Sequence, residues 1–465
     1  MIGAKKITGS GNALAPEAQV FSIEKTDATV TGRRLIPYYP SRQGISPMTF
    51  EIPPIQSWVD LGQSYFEFEV TLRLANGGNI TDANLLHPVP GLIHAMIKQL
   101  SVHWNGTLMT PSSDMYSYGW YITYLLNITD EEGDVFGATE GWPGIERTKG
   151  YSAIDFPSEM TANMFDEDHD EYKGLSNTQK ASILLSKAMK AETLAGAKIL
   201  FQIKPDNELF HMNKWLVPGV EQRFTINFNN PSFFLNGVGA QGRLTYEDIK
   251  GVFYLTQLVM APEVFQKVET ARNNSRVPVQ YQLITHSIST YPLGVGQTEF
   301  NKDKLFNGRV PDRVVVGLVH PDANTGTYAR HPFCFEKFGV SAMKQYVNGE
   351  EYPYPTLILN PNDKQVDRRG YYRFLRAGGF LKRSEVPMVK EEMWGTAGNC
   401  TLFVFDNTPS GDPDGQLLNP QQRGDVRLYF RCEAQDHPIK VIIYGEFETK
   451  CEIDANGSVL YDPYN

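Results

Sequence analysis

The sequence has few cysteines and lacks the marks of several protein classes. Its 465 residues include four cysteines, none of them in a C-x-x-C pair. A disulfide framework is therefore not expected, and a reducing compartment suits this usage better. No run of 18 apolar residues occurs, so we expect no membrane-spanning helix. Lys5 and Lys6 are not followed by an apolar stretch, so the first residues do not match a secretory signal.

An excess of basic residues is also missing. The formal net charge is −10, whereas a general nucleic-acid binder needs a basic face to displace the counterions of the phosphates. We therefore expect no specific recognition of nucleic-acid sequence by this chain.

Motifs for catalysis or for binding a cofactor are incomplete. The stretch Gly237–Gly242 matches G-x-G-x-x-G, but a strand is predicted after it, where the motif needs the start of a helix. The acidic run Phe165–Tyr172 fits a hard cation, yet a solvated loop is the simpler interpretation. Asp412–Gly415 resembles part of a calcium loop, but Gln421 stands where that loop needs glutamate. We therefore predict no catalytic, cofactor-binding or metal-binding residues, and no enzyme activity.

Strand signals dominate the rest of the chain. Aromatic residues make up 12%, and there are 40 glycines and 29 prolines, which suits strands joined by tight turns. Apolar and polar residues alternate through Gln63–Leu74, which predicts a strand. Similar runs predict strands at Met96–Trp104, Ile199–Ile203, Gln222–Phe228, Val252–Met260, Val279–Ile288, Arg313–Val319, Thr401–Phe405, Asp425–Cys432 and Ile439–Phe447.

A few helices are predicted between the strands. Asp114 is the expected N-cap of a helix over Met115–Leu126. A capping box at Ser176 and Gln179 predicts a second helix over Ser176–Ala195, which ends at Gly196. The other predicted helices are Glu263–Arg272, with Pro262 in its first turn, and a short one near Arg369–Arg376.

The two halves of the chain resemble each other, which indicates a duplicated unit. Each resemblance is weak alone, but all occur in the same order. The matched pairs are Tyr65–Leu74 with Pro311–His320, Lys98–Gly106 with Ser341–Gly349, Leu200-Phe201 with Leu402-Phe403, Glu221–Phe228 with Asp425–Cys432, and Ile249–Tyr254 with Ile439–Tyr444.

These signals predict an all-β protein made of two tandem eight-stranded jelly-roll β-sandwiches, a double jelly roll, with a few short helices in loops. The predicted organisation is a flexible N-terminal arm at 1–18, a first jelly roll at 19–261 with an insertion at 128–196, a linker helix at 262–276, a second jelly roll at 277–455 and a C-terminal tail at 456–465.

Basic and aromatic residues alternate between Arg368 and Arg383. Such a stretch could contact nucleic acid or form a protein interface. We favour the interface, because tyrosine and arginine are the usual anchors of such surfaces.

Three further stretches resemble the major capsid proteins of polinton (Maverick) elements, adintoviruses and polinton-like viruses. They are Phe50–Leu72, Pro90–Leu126 and Gly308–Gly349, and Val441–Asp454 resembles the closing strand of that family. The similarity covers residues from about 20 to 455 and is thin over 128–196.

The resemblance implies a structural protein of the virion, assembled inside the host cell. Three copies would form a homotrimeric capsomer of pseudo-sixfold outline, and capsomers would tile an icosahedral capsid. The expected partners are further copies of the chain, a penton protein and minor or cement capsid proteins. The alternative is a secreted carbohydrate-binding jelly-roll protein, which predicts exposed tryptophans along a groove.

Overall fold

The structure is a computed structural model. It describes residues 26–110, 113–129, 132, 135, 137–141, 155–157, 159–274, 277–360, 367–395, 398–415 and 417–461. The predicted N-terminal arm at 1–18 lies outside the described residues.

The first half of the chain forms an eight-stranded sandwich with short accessory strands, here called the first lobe. Its strands are β1 (Val30–Tyr38), β2 (Met48–Ile52), β3 (Trp58–Thr71), β4 (Arg73–Leu74), β5 (Leu85–Pro88), β6 (Ile97–Trp104), β7 (Thr107–Leu108), β8 (Lys198–Ile203), β9 (Gln222–Phe228), β10 (Leu235–Val238), β11 (Gly242–Arg243) and β12 (Ile249–Met260).

The second half forms another such sandwich, the second lobe. Its strands are β13 (Val279–Leu293), β14 (Glu299–Lys302), β15 (Arg309–Val310), β16 (Arg313–Val319), β17 (Ala342–Val347), β18 (Glu350–Glu351), β19 (Leu357–Ile358), β20 (Leu402–Asp406), β21 (Gln422–Arg423), β22 (Val426–Arg431), β23 (Ile439–Ile453) and β24 (Val459–Tyr461).

Strand order is the same in both lobes. The first lobe pairs β1-β12-β3-β8 in one sheet and β2-β9-β6-β7 in the other. The second lobe pairs β13-β23-β16-β20 and β14-β22-β17-β18 in the same arrangement. Each order is that of a jelly roll, in which the first strand pairs with the last. The predicted fold class is therefore confirmed, and the five matched sequence pairs lie on corresponding strands.

The residue register within the matched strands differs from the sequence alignment. Val70 aligns with Val316, and Ile249 aligns with Ile439. In the first lobe Val70 pairs with Ile249, whereas Val316 pairs with Ile443. The alignment of these strands was therefore wrong by four residues, since period-two patterns match equally well when they are shifted by an even number.

The helices lie in the connections between strands. They are α1 (Leu92–Met96), α2 (Tyr116–Asn127), α3 (Asp170–Gly174), α4 (Asn177–Thr193), α5 (Pro231–Phe234), α6 (Pro262–Asn274), α7 (Pro321–Thr325), α8 (Arg368–Ala377) and α9 (Phe380–Arg383). The capping box of α4 is present: Ser176 Oγ accepts from the Gln179 N–H, and Gln179 Oε1 accepts from the Ser176 N–H.

The predicted N-cap of α2 was wrong. Met115 occupies that position without a side-chain cap, and the Asp114 carboxylate instead pairs with Lys98 Nζ at 2.7 Å. The connection between β7 and β8, residues 109–197, contains α2, α3 and α4, whereas the corresponding connection of the second lobe, residues 359–401, contains α8 and α9.

Alternation of side chains builds the core of each lobe. Phe66, Phe68 and Val70 of β3 are fully buried, while the intervening Tyr65 and Glu67 face outward. Every residue of β16 is buried, by contrast. Both faces of the β16 sheet are therefore covered, one by its own sandwich and the other by the first lobe.

Candidate functional site: the contact between the lobes and the open surfaces

The two lobes contact each other through several segments of the first lobe. The segment 204–221, which joins β8 to β9, runs along β13 of the second lobe. The Val217 N–H donates to Tyr281 Oη at 3.0 Å, and this hydroxyl donates to the Trp215 carbonyl at 3.1 Å. Lys214 Nζ donates to the Gln280 carbonyl at 3.3 Å. The first strand of the second lobe is thus held by the β8–β9 segment of the first.

The β6–β7 hairpin adds a second part of this contact. Asn105 Nδ2 donates to the Gly457 carbonyl at 2.6 Å, and Thr107 Oγ1 donates to the Val459 carbonyl at 3.3 Å. Asn105 has a φ of 46°, which suits asparagine in a tight hairpin turn. The Asn-Gly dipeptide therefore serves both the turn and the neighbouring lobe.

Helix α2 provides the aromatic part of the contact. Tyr121 stacks on Phe333 with ring centroids 4.3 Å apart, and Tyr118 Oη donates to the Pro332 carbonyl at 2.8 Å. Thr123 Oγ1 lies 3.2 Å from Tyr444 Oη of β23. Since Tyr118, Tyr121 and Phe333 are almost completely buried, the lobes share one continuous hydrophobic core.

A cleft of about 690 Å³ lies between the lobes and is lined by carboxylates from both. At its wall, Arg313 is fully buried at the start of β16. Its Nη2 lies 2.6 Å from Asp414 Oδ2, and its Nη1 lies 3.2 Å from Glu446 Oε2. Burial of a charge is tolerated only with such partners.

Burial in this cleft raises the pKa of several carboxyl groups. It raises the pKa of Asp206 to about 7, that of Glu208 to about 7 and that of Asp312 to about 6. The pKa of Glu446 is also raised by burial, against the opposing effect of Arg313. Desolvation therefore dominates the electrostatics of the cleft.

The motifs considered for ligand binding make the following contacts within the fold. Residues 237–242 are followed by β11 and β12, not by a helix, which confirms the predicted strand. In the acidic run, Glu171 Oε1 accepts from Asn163 Nδ2 at 2.8 Å. Asp412–Gly415 is a turn whose Asp414 binds Arg313 and Arg383. Within the described parts of the chain, no three histidine, cysteine, aspartate or glutamate side chains are grouped to hold a metal ion.

The basic and aromatic stretch 368–383 is divided between core and surface. Phe374 and Phe380 are buried, and the Tyr371 hydroxyl donates to the Val389 carbonyl at 3.0 Å. Tyr372 is 58% exposed, and Arg369 beside it is exposed as well. One face of α8 is therefore open to solvent.

Other large apolar side chains are open to solvent away from the contact between the lobes. Leu417 is 83% exposed and Leu418 is 58% exposed in the segment 407–421, which joins β20 to β21. In the first lobe, Leu35 on β1 is 48% exposed and Tyr39 just after it is 70% exposed. Apolar residues at such exposure mark candidate contact surfaces.

Sequence reasoning missed the buried Arg313. One signal was available: a single arginine opens Arg313–Val319, a run otherwise made of valine, leucine and glycine. A charge at the edge of a fully buried strand predicts an internal ion pair, but its partners Asp414 and Glu446 lie too far along the chain to be identified from spacing.

Comparison with known proteins supports the architecture. No family model matches the chain. An uncharacterized protein of Caenorhabditis elegans is 20% identical over 418 residues, which cover 88% of this chain and 91% of that protein.

Similar solved structures come from viruses. The VP54 protein of PBCV-1, fitted into a reconstruction of the virophage Sputnik, has a TM-score of 0.55 at 10% identity and covers 96% of this chain and 100% of its own. A structure of the Sputnik virophage has a TM-score of 0.56 at 9% identity, with 99% and 94% covered. The chain has the double jelly-roll fold of viral major capsid proteins. At these identities the similarity establishes the double jelly roll itself.

None of the described helices is both long enough and apolar enough to span a bilayer.

Proposed function

We propose that this chain is the structural major capsid protein of an icosahedral double-stranded DNA virus or virus-like transposon of the polinton type. The observation that carries the proposal is the repeated strand order, β1-β12-β3-β8 and β13-β23-β16-β20, within one chain. Three copies of a chain with two similar lobes place six similar lobes around a threefold axis. Such a capsomer fits a hexagonal lattice.

The match to the PBCV-1 virus capsid, with a TM-score of 0.53 and 95% of this chain covered, supports the virion as the location. The relative in a nematode is compatible with an element carried in an animal genome. We further propose assembly inside the host cell, with a penton protein and minor or cement proteins as partners, and two domains at 19–261 and 277–455 joined by 262–276.

The tryptophans favour this proposal over a carbohydrate-binding protein. Trp104 and Trp394 are fully buried, and Trp120 is 4% exposed. A glycan-binding groove needs such rings at the surface. These three rings instead lie in the interior, and Trp58 and Trp215 are partly buried.

Light scattering behind a sizing column tests the proposal. We expect a species near three times 52.4 kDa, or a larger particle, that persists on dilution, because obligate interfaces of this type bury more than about 2,000 Å². Negative-stain micrographs of that species should show a pseudo-hexagonal outline. A monomer at every concentration would contradict the proposal.

A further inference from the structure

The parts of the first lobe that bind the second lobe have counterparts in the second lobe. In the first lobe, the β8–β9 segment and the β6–β7 hairpin hold the second lobe at β13 and β24. In the described part of the chain, the hydrogen bonds of the corresponding parts of the second lobe, the segment 407–421 and the β17–β18 hairpin, stay within their own lobe. The corresponding strand of the first lobe, β1, is an edge of its sheet among the described strands.

The two hairpins are built alike. Asn105 Oδ1 accepts from the Glu221 N–H at 2.7 Å, and Asn348 Oδ1 accepts from the Asp425 N–H at 3.0 Å. Both asparagines have a positive φ. Asn105 uses its amide nitrogen to bind the second lobe, whereas Asn348 is exposed. The second lobe therefore presents the Asn348 side chain at the position that corresponds to Asn105.

The acceptor sheets also correspond. β12 lies between β1 and β3, and β23 lies in the same place between β13 and β16. Tyr444 is 2% exposed because α2 of the first lobe covers it. Tyr254 stacks on Tyr65 with centroids 5.1 Å apart and remains partly exposed.

We propose that a second copy of this chain docks the segment 407–421 and helix α8 of its second lobe on the outer face of β1 and β12 of the first lobe. Leu417 and Leu418 would then cover Leu35 and Tyr39. Each of these four side chains is exposed in the single chain, so the contact would bury apolar area on both partners.

Charge supports the same pairing. Glu67 points outward from β3, and its carboxylate accepts from Gln202 Nε2 at 2.9 Å. Arg369 is exposed on α8. Neither has an ion-pair partner within the described chain. Docking of α8 over this sheet brings the two opposite charges to the same interface, where they favour the correct orientation.

The interface is head-to-tail, since the donor lies on the second lobe and the acceptor on the first. Such an interface closes into a ring when the rotation per copy divides a full turn. This inference rests on the proposed function for the number of copies in the ring, but the surfaces themselves follow from the contact within the chain.

Charge insertion tests the interface. Leu417→Glu with Leu418→Glu on one surface, and Leu35→Glu on the other, should each weaken self-association by roughly 30-fold or more, as expected when a hot-spot contact is lost. Val295→Glu is the matched control, since Val295 is 61% exposed in the β13–β14 turn and lies outside both surfaces. Light scattering across a dilution series measures the effect, and circular dichroism checks that each variant is folded.

Crosslinking provides a second readout. The four native cysteines are buried and free, so a variant with Leu35→Cys and Leu417→Cys should be joined between copies by a bismaleimide reagent. Val295→Cys with Leu417→Cys should not. If the wild-type chain is trimeric but the cysteine variant does not crosslink and the glutamate variants do not weaken self-association, this interface is wrong and the proposed function stands. A wild-type chain that never self-associates would overturn both.

Discussion

The buried Arg313 shows how a single residue ties distant parts of the chain together. Arg313→Ala should destabilise the protein by about 3–5 kcal/mol, because the buried Glu446 carboxylate would lose its cationic partner, whereas Asp414 would keep Arg383. Urea denaturation measures this change. Arg431→Ala is the control: its ion pair with Glu299 is exposed, so little loss of stability is expected. Equal losses for the two variants would contradict the role given to burial.

Gly370 provides another residue-level prediction. A Cβ added at this position would lie 2.0 Å from Cη2 of Trp394, whose indole N–H donates to the Leu402 carbonyl at 3.0 Å. Gly370→Ala should therefore cost about 1–3 kcal/mol through overpacking, although alanine favours a helix. Gly174→Ala at the end of α3 meets nothing within 4 Å and should cost nothing. Thermal denaturation of both variants distinguishes packing from helix propensity.

Sequence reasoning was weakest at the residue scale. The turns at Asn105 and Asn348 follow from local chemistry, because Asn-Gly favours a two-residue hairpin. Sequence reasoning missed the ion pairs of Arg313, because their partners come from separate strands and loops. It placed Asp114 at a cap, whereas the nearby Lys98 binds that carboxylate. Structure that depends on adjacent residues could be predicted from the sequence. Which of several possible partners a charged side chain binds could not.

The cap of α4 gives a prediction for an element. Ser176→Ala removes the hydroxyl that accepts from the Gln179 N–H at 3.1 Å and should destabilise the start of the helix by about 1 kcal/mol. Amide hydrogen exchange of α4 should quicken. Ser176→Asp keeps an acceptor at the same place and should restore protection. Unchanged exchange in the alanine variant would show that tertiary packing alone holds this helix.

Most elements were readable from periodicity. Strands over Gln222–Phe228 and Arg313–Val319 match their predicted limits, because one buried face imposes strict alternation on the first and complete burial imposes an apolar run on the second. β1 was missed. Its sequence VTGRRLIPY has no clear alternation, and the strand is an open edge with few buried residues. An edge strand that buries little of its surface has a weaker alternation of apolar and polar residues in its sequence.

Protonation in the cleft gives a prediction for the whole molecule. Asp206 and Glu208 have folded-state pKa values of about 7, above their ordinary values of 3.8 and 4.5. Their contribution to stability is therefore complete below those ordinary values and is lost as the pH rises through about 7. His286 and His331 have pKa values lowered by burial to about 4 and about 3. Together with His87, whose pKa is also lowered by burial to about 4, they add an opposing rise in stability as the pH increases through their ordinary value of 6.5.

Because the two effects overlap, the fall in stability due to the carboxyl groups is measured as the difference between the wild type and a variant that lacks them. Asp206→Asn with Glu208→Gln should flatten that dependence and stabilise the protein at the higher pH. Denaturant titrations at several pH values measure it. A stability difference between the variant and the wild type that stays constant from about pH 4 to about pH 8 would contradict the raised pKa values.

The unequal connections of the two lobes have a consequence for symmetry. Among the described residues, the β7–β8 connection contains α2, α3 and α4, and the β19–β20 connection contains α8 and α9. In the proposed trimer, lobes of two shapes would therefore alternate around the axis. Rotation by one sixth of a turn would exchange unlike lobes, so each position in a hexagonal lattice would accept the capsomer in two distinguishable settings. The contacts between neighbouring capsomers would then differ between the two orientations. During assembly, a capsomer in the correct orientation would bind its neighbours more tightly than one rotated by a sixth of a turn.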